Sequence, residues 1–113
     1  MGFFNLFSGK AVNDFGKDLA QELAKRYPVS MESGNERKIS PKGLSNILES
    51  MYQKAIEFKQ EKKLGMFRTA KLSNSFRWEL KELGYSDKFI EVATEGLVVY
   101  LTRGSNETQL PSK

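Results

Sequence analysis

The sequence contains no cysteine and no histidine among its 113 residues. Without cysteine there are no disulfides, no thiolate ligands for zinc and no thiol nucleophile. Without histidine the chain lacks the most frequent general base, metal ligand and pH-sensitive switch of proteins. Carboxylates, lysine, tyrosine, serine and threonine are the side chains left for chemistry. We therefore expect a protein that is not an enzyme and that holds no metal and no cofactor.

Long apolar runs and targeting signals are also lacking. The longest purely apolar run extends from Leu97 to Leu101, far short of the roughly 20 residues that span a bilayer. The first eight residues show neither the basic leader and long apolar stretch of a secretory signal nor the pattern for myristoylation. We therefore expect no transmembrane segment and a location in the cytoplasm.

The residues that are present are those of one small soluble domain. Hydrophobic residues make up 39% of the chain and charged residues 28%, so it can bury a core and still stay soluble. The formal net charge is +4. A mild positive balance is compatible with nucleic acid or anionic lipid as a partner, but many ordinary proteins share it.

Apolar residues recur every three or four positions in four segments of the chain. This spacing predicts an all-α, compact domain that resembles a four-helix bundle over residues 1–104. The first helix is predicted over residues 10–27, and Pro28 ends it. The second begins after Ser40, which can cap free amides, and ends where Gly65 supplies a left-handed residue.

The third and fourth predicted helices also have readable ends. The third extends from about Met66 to Leu83, and Gly84 ends it. The fourth begins after the cap Ser86 and is expected to end at Gly104. Its C-terminal half is apolar nearly all round, so we expect it to be the most buried helix.

Two segments show no helical period. Residues 28–40 are predicted to form a long loop between helices 1 and 2, and loops of this length in compact domains are either functional or mobile. The polar segment 105–113 is predicted to be a disordered C-terminal tail.

The region from residue 62 to residue 81 is the most informative part of the sequence. No acidic residue occurs between positions 62 and 78, while cations alternate with large apolar side chains. Lysine and arginine neutralise phosphates, and exposed aromatic rings stack on bases or anchor in a pocket of a protein. The residues that we predict for binding a protein partner or nucleic acid are Lys62, Lys63, Phe67, Arg68, Lys71, Arg77, Trp78 and Lys81.

A competing interpretation concerns the two large aromatic residues of this region. The third predicted helix carries one apolar stripe that includes Leu72 and Phe76, and a second, nearly opposite stripe that includes Phe67 and Trp78. Because large aromatic side chains are usually buried, the favoured interpretation is that Phe67 and Trp78 belong to the core.

Acidic residues recur at every fourth position in two helices. Like charges at this spacing repel each other weakly, and one interpretation is a divalent-cation site between helices. The favoured interpretation is that acids near helix N-termini interact with the helix dipole and pair with lysine and arginine. The positions concerned are Asp14, Asp18 and Glu22 in the first helix and Asp87, Glu91 and Glu95 in the fourth.

The N-terminal segment is unusually apolar. Its large side chains are compatible with self-association or with contact to a membrane interface, although one nearby lysine holds anionic lipid only weakly. The slightly favoured alternative is that the segment folds back and closes one end of the bundle. The residues predicted for self-association are Phe3, Phe4, Leu6 and Phe7.

Two functional hypotheses follow from the sequence. The first is a small non-enzymatic binding or accessory protein that acts through protein–protein contacts, with a homo-oligomer as one form. The alternative is a nucleic-acid-binding protein that uses the basic, aromatic-interleaved surface around residues 62–81.

Overall fold

The structure is a computed structural model that describes the backbone of residues 2–34 and 39–109, and the side chains of residues 9–34 and 39–103. Within these ranges the chain forms helices and no strand, so the prediction of an all-α protein is confirmed. The helices are α1 (Gly2–Arg26), α2 (Val29–Glu32), α3 (Pro41–Lys62), α4 (Met66–Leu83) and α5 (Asp87–Gln109).

Three helix boundaries lie where the local sequence predicts them. The hydroxyl of Ser40 accepts a hydrogen bond from the Gly43 amide at 2.9 Å and so caps α3. Gly84 adopts a left-handed conformation with φ 104° and ends α4. The hydroxyl of Ser86 accepts from the Phe89 amide at 3.1 Å at the start of α5. Each signal needs only a few neighbouring residues, which explains why the sequence reveals it.

The two terminal helices extend beyond their predicted ends. α1 begins at Gly2 instead of near Lys10, so the N-terminal segment continues the helix and the expectation that it folds back is wrong. α5 passes through Gly104 and continues to Gln109, so the first part of the predicted disordered tail is helical. Extending an existing helix adds one hydrogen bond for each residue fixed, which offsets the cost of a single glycine. Residues 110–113 lie outside the described residues.

The connection between α1 and α3 contains a short helix where the sequence predicts only a loop. Within residues 28–40, α2 covers Val29–Glu32, while residues 35–38 lie outside the described part. The Glu32 carboxylate accepts hydrogen bonds from the Ser86 hydroxyl at 2.7 Å and from its amide at 3.2 Å. These bonds fasten α2 to the start of α5.

The turn between α3 and α4 is built differently from the prediction. Lys63, and not Gly65, takes the left-handed conformation that ends α3, with φ 55°. The Leu64 amide donates to the Lys59 carbonyl at 3.0 Å and completes this cap. Gly65 is extended and precedes the first residue of α4.

The core lies where the four long helices meet. α1 packs most extensively against α4, while α5 packs against both α3 and α4. Most of the buried side chains are apolar residues that recur at helical spacing, and they remove a large apolar area from water. Tyr52, Thr69 and Ser73 are also buried, although the sequence pattern does not mark them as core. The largest fully buried side chains are Val12, Leu23, Met51, Leu72, Phe76, Leu80, Leu97 and Leu101.

Two glycines allow helices to approach closely. A Cβ at Gly16 of α1 would lie only 2.8 Å from the Leu72 carbonyl oxygen of α4. A Cβ at Gly96 of α5 would overlap the ring of Tyr52, whose hydroxyl donates to the Ala93 carbonyl at 2.8 Å. The sequence marks neither glycine as a packing position, because both lie inside apparently regular helices.

α5 is not buried all round, although the C-terminal half of its sequence is apolar nearly all round. Val92 is 54% exposed, and Val98 and Val99 are each 39% exposed. The helix contacts α3 and α4 along its buried side, and its remaining apolar residues face away from them.

Candidate binding surface on helix α4

α4 has one buried face and one exposed face. Leu72 and Phe76 are fully buried, whereas Phe67 is 92% exposed and Trp78 is 56% exposed. The favoured interpretation that these two aromatics belong to the core is therefore wrong. The reason is geometric: the stripe with Leu72 faces the other helices, and Phe67 and Trp78 lie on the opposite side.

Trp78 lies in an open groove between α1 and α4 with a volume of about 650 Å³, which we call the α1–α4 groove. Both helices contribute charged side chains to it. The cations that line the groove are Lys10, Lys17 and Lys71, and the acids are Asp14, Glu79 and Glu82. The groove therefore combines one large, partly exposed indole with equal numbers of positive and negative side chains.

Hydrogen bonds between the helices fix the two sides of the α1–α4 groove. The Ser75 hydroxyl donates to the Asn13 carbonyl of α1 at 2.7 Å. The Gln21 amide donates to the Glu79 carboxylate at 2.7 Å. Because α1 and α4 also touch closely at Gly16, the groove is held open by a tightly packed interface. A preformed site of this kind loses little conformational entropy on binding.

The charge distribution favours some partners over others. A groove for a nucleic-acid backbone presents mainly positive charge to the phosphates. Here the Lys10 ammonium pairs with the Asp14 carboxylate at 3.3 Å, and further acids line the groove. A polypeptide that carries charges of both signs matches this pattern better than a polyanion does.

The structure divides the predicted binding residues into separate groups. Only two of them, Lys71 and Trp78, line the α1–α4 groove. Arg77 and Lys81 are exposed on α4 outside its lining, and Lys81 pairs with Asp87 at 3.6 Å. A second group lies at the turn between α3 and α4: Lys62, Lys63, Phe67 and the half-buried Arg68.

The α1 side of the groove was not found from the sequence. Lys10, Asn13 and Lys17 recur at helical spacing, so the sequence shows that they share one face of α1. It does not show that α4 lies beside this face, because that depends on how distant helices pack. Met66, which is 86% exposed, was likewise not predicted as a binding residue.

Asp14 and Glu22 of α1 pair with cations, as the favoured interpretation predicts. None of the three acids lies near the N-terminus of α1, which begins at Gly2, so the expected interaction of these acids with the helix dipole is wrong. The Glu22 carboxylate lies 2.5 Å from the Lys54 ammonium and 3.5 Å from the Arg26 guanidinium. The hydrogen bond from Lys54 lowers the pKa of Glu22. Among the residues that the structure describes, no group of three or more potential ligand side chains is arranged to hold a metal ion.

The residues predicted for self-association lie in the first turns of α1. Phe3, Phe4, Leu6 and Phe7 have helical backbones, but their side chains lie outside the described part of the chain. Self-association through them stays a prediction.

Comparison of the chain with protein-family models, with curated proteins and with solved structures finds no match. In the described part of the chain, no helix has both the length and the apolar character needed to cross a membrane. Any proposal about function therefore depends on the surface of the molecule itself.

Proposed function

We propose that this protein is a non-enzymatic helical binding module, active in the cytoplasm, that docks a segment of another protein in the α1–α4 groove. The observation that carries the proposal is the position of Trp78, a large aromatic side chain that is 56% exposed in a preformed groove. Tryptophan is among the residues that contribute most to protein interfaces, because it buries a large apolar area with little loss of side-chain freedom.

The chemistry of the groove defines the partner that it would accept. Trp78 supplies one apolar contact area, so the partner needs an apolar anchor residue opposite the indole. The flanking lysines and carboxylates would pair with charges of both signs on either side of that anchor. The expected ligand is therefore a polypeptide segment with a central apolar residue and mixed charge.

Site-directed photo-crosslinking in cells tests this proposal. A photoreactive amino acid at position 74, which lines the groove and leaves Trp78 in place, is expected to form covalent adducts with a specific protein, whereas the same amino acid at position 92 is not. Val92 is a matched control because it is 54% exposed but lies on α5. Equal crosslinking of the same proteins from both positions would contradict the proposal.

The purified crosslinked partner then allows a quantitative test. Trp78→Ala is expected to weaken binding by about 2 kcal/mol, roughly thirtyfold, as is typical of a central aromatic residue in an interface. Val92→Ala is expected to change the affinity little. An unchanged affinity for the Trp78→Ala protein would remove the groove as the docking site.

Nucleic acid remains the second candidate partner, because Lys71 lines the same groove as the exposed Trp78 indole. This candidate predicts retention on a polyanion column that collapses with added salt, and loss of retention in a Lys71→Glu, Arg77→Glu variant. The control Lys25→Glu, Lys88→Glu makes the same charge change at exposed positions on α1 and α5. No retention at low salt would eliminate this candidate.

A homo-oligomer formed through the N-terminal segment is a separate part of the proposal. It predicts a dimer in sedimentation experiments that Phe3→Ser together with Phe7→Ser converts to a monomer. A wild-type protein that stays monomeric over a wide concentration range would contradict it.

A further inference from the structure

The turn between α3 and α4 presents an exposed apolar pair at some distance along the sequence from Trp78. We call residues 62–68 the α3–α4 tip. Phe67 is 92% exposed and Met66 is 86% exposed, which makes them the two most exposed large hydrophobic residues of the described chain. A Cβ added at the neighbouring Gly65 would meet no atom within 4 Å, so this position of the turn faces open space.

The turn itself is well packed, although this pair is exposed. Leu64, between the two helices, is half-buried and packs against the core. The Leu64 amide also donates to the Lys59 carbonyl and closes the cap of α3. The turn is thus held by one inward-facing apolar side chain, while the next two large apolar side chains point to solvent.

Basic residues lie on both sides of the apolar pair. Lys62, Lys63 and Arg68 flank it in the sequence, and the nearest acidic residues along the chain are Glu61, before Lys62, and Glu79. Lys63 has φ 55°, a backbone conformation in which glycine is less strained. The chain therefore has a lysine at a position where local stability favours glycine.

We propose that the α3–α4 tip binds the surface of anionic lipid bilayers, with Met66 and Phe67 entering the interfacial layer. Two adjacent apolar side chains on a convex turn can enter a fluid interface without a matching pocket. Lys63 and Arg68 then lie at the depth of the lipid phosphates, where basic residues close to the surface strengthen attachment. This contact is peripheral and does not require a helix that crosses the membrane.

Two other occupants fit the tip less well. A second copy of the chain, meeting the first through the same patch, would bring the cations of both tips together, and like charges repel. Single-stranded nucleic acid binds through aromatic rings on which bases stack, and the Met66 side chain offers no such ring. The combination of a flexible thioether, one phenyl ring and flanking cations matches a lipid interface more closely.

Vesicle sedimentation tests the inference with the full-length protein. We expect binding to phosphatidylcholine vesicles that contain phosphatidylserine, and little binding to phosphatidylcholine alone. Raising the salt from about 0.1 M to about 1 M shortens the screening length from roughly 10 Å to roughly 3 Å and is expected to weaken binding. Met66→Ser with Phe67→Ser is expected to reduce the partition coefficient at least about tenfold, since it removes most of the inserted apolar area.

Matched variants separate the tip from other surfaces. Val98→Ser with Val99→Ser removes two exposed apolar residues from α5 and is expected to leave binding unchanged. Phe3→Ser with Phe7→Ser is assayed in parallel, because it changes the other apolar segment of the chain. Circular dichroism of each variant checks that the fold is intact.

Several results would overturn the proposal. One is the absence of binding to vesicles with phosphatidylserine, and another is equal binding by the tip variant with its fold intact. Loss of binding only in the N-terminal variant would assign the membrane contact to that segment. Binding of a single-stranded oligonucleotide that depends on Phe67, without binding to vesicles, would assign the tip to nucleic acid instead.

Discussion

Replacing Gly16 with alanine tests the close packing of α1 on α4, which also shapes the candidate groove. The added methyl group would lie 2.8 Å from the Leu72 carbonyl oxygen and 2.8 Å from the Ser75 Cβ. Ordinary contacts between carbon atoms are about 3.5–4.0 Å, so the helices must separate by a substantial fraction of an ångström. The nearest atom belongs to the backbone of α4, which cannot move aside as a flexible side chain can.

The expected magnitude is the difference between two opposing effects. Overpacking a well-packed interface typically costs about 1–3 kcal/mol. Alanine is favoured over glycine inside a helix by up to about 1 kcal/mol. We therefore expect Gly16→Ala to lower the free energy of unfolding by roughly 1–2 kcal/mol, and to lower Tm by about 4 °C per kcal/mol.

Gly9 provides a control in the same helix. A Cβ at Gly9 would meet no atom within 4 Å, so Gly9→Ala gains helix propensity without a clash. We expect this variant to be more stable than wild type by roughly 0.5–1 kcal/mol. Urea denaturation followed by circular dichroism measures both changes. A Gly16→Ala protein that is as stable as the Gly9→Ala protein would refute the packing of α1 on α4 described above.

Other residues give further predictions. Burial raises the pKa of Tyr52 and of Tyr85 to about 12. The neutral phenols contribute their full stability below pH 10, which is the pKa of tyrosine in the unfolded chain. This contribution is lost as the pH rises to about 12, the pKa in the folded protein. The loss is up to roughly 2–3 kcal/mol per tyrosine, and urea midpoints that stay constant from pH 10 to 12 would argue against it. The buried Thr94 hydroxyl has no hydrogen-bond partner among the described residues, so Thr94→Val is expected to raise the unfolding free energy by about 1 kcal/mol in urea titrations, and a decrease would show that the hydroxyl is satisfied. Lys63→Gly is expected to raise Tm because it relieves the left-handed backbone strain of about 1 kcal/mol, and a lower Tm would contradict this reasoning.

The features that the sequence predicts well depend on a few neighbouring residues. Ser40, Gly84 and Ser86 mark helix ends because their capping interactions lie within a few positions along the chain. The start of α1 was predicted too late, since the helix continues through Gly9 and the polar–apolar period is weak before it. At the end of α3, the left-handed residue is Lys63, two positions before Gly65, where the sequence pattern predicts it.

The candidate site was harder to predict because it depends on contacts between distant segments. Helical angles separate the stripe of Phe76 from that of Trp78 but do not show which one faces the core. Which stripe faces the core depends on the helices that pack around α4, and α1 makes one of these contacts at Gly16. The average behaviour of tryptophan favoured burial, and in this molecule it led to the wrong prediction.

The exposure of Trp78 is the central claim, and intrinsic fluorescence measures it directly because the chain has a single tryptophan. Acrylamide quenching of the native protein is compared with quenching of the same protein in concentrated urea. We predict that the native quenching constant is a substantial fraction of the unfolded value, together with a red-shifted emission. A blue-shifted emission that acrylamide hardly quenches would place the indole in the core and contradict the proposed groove.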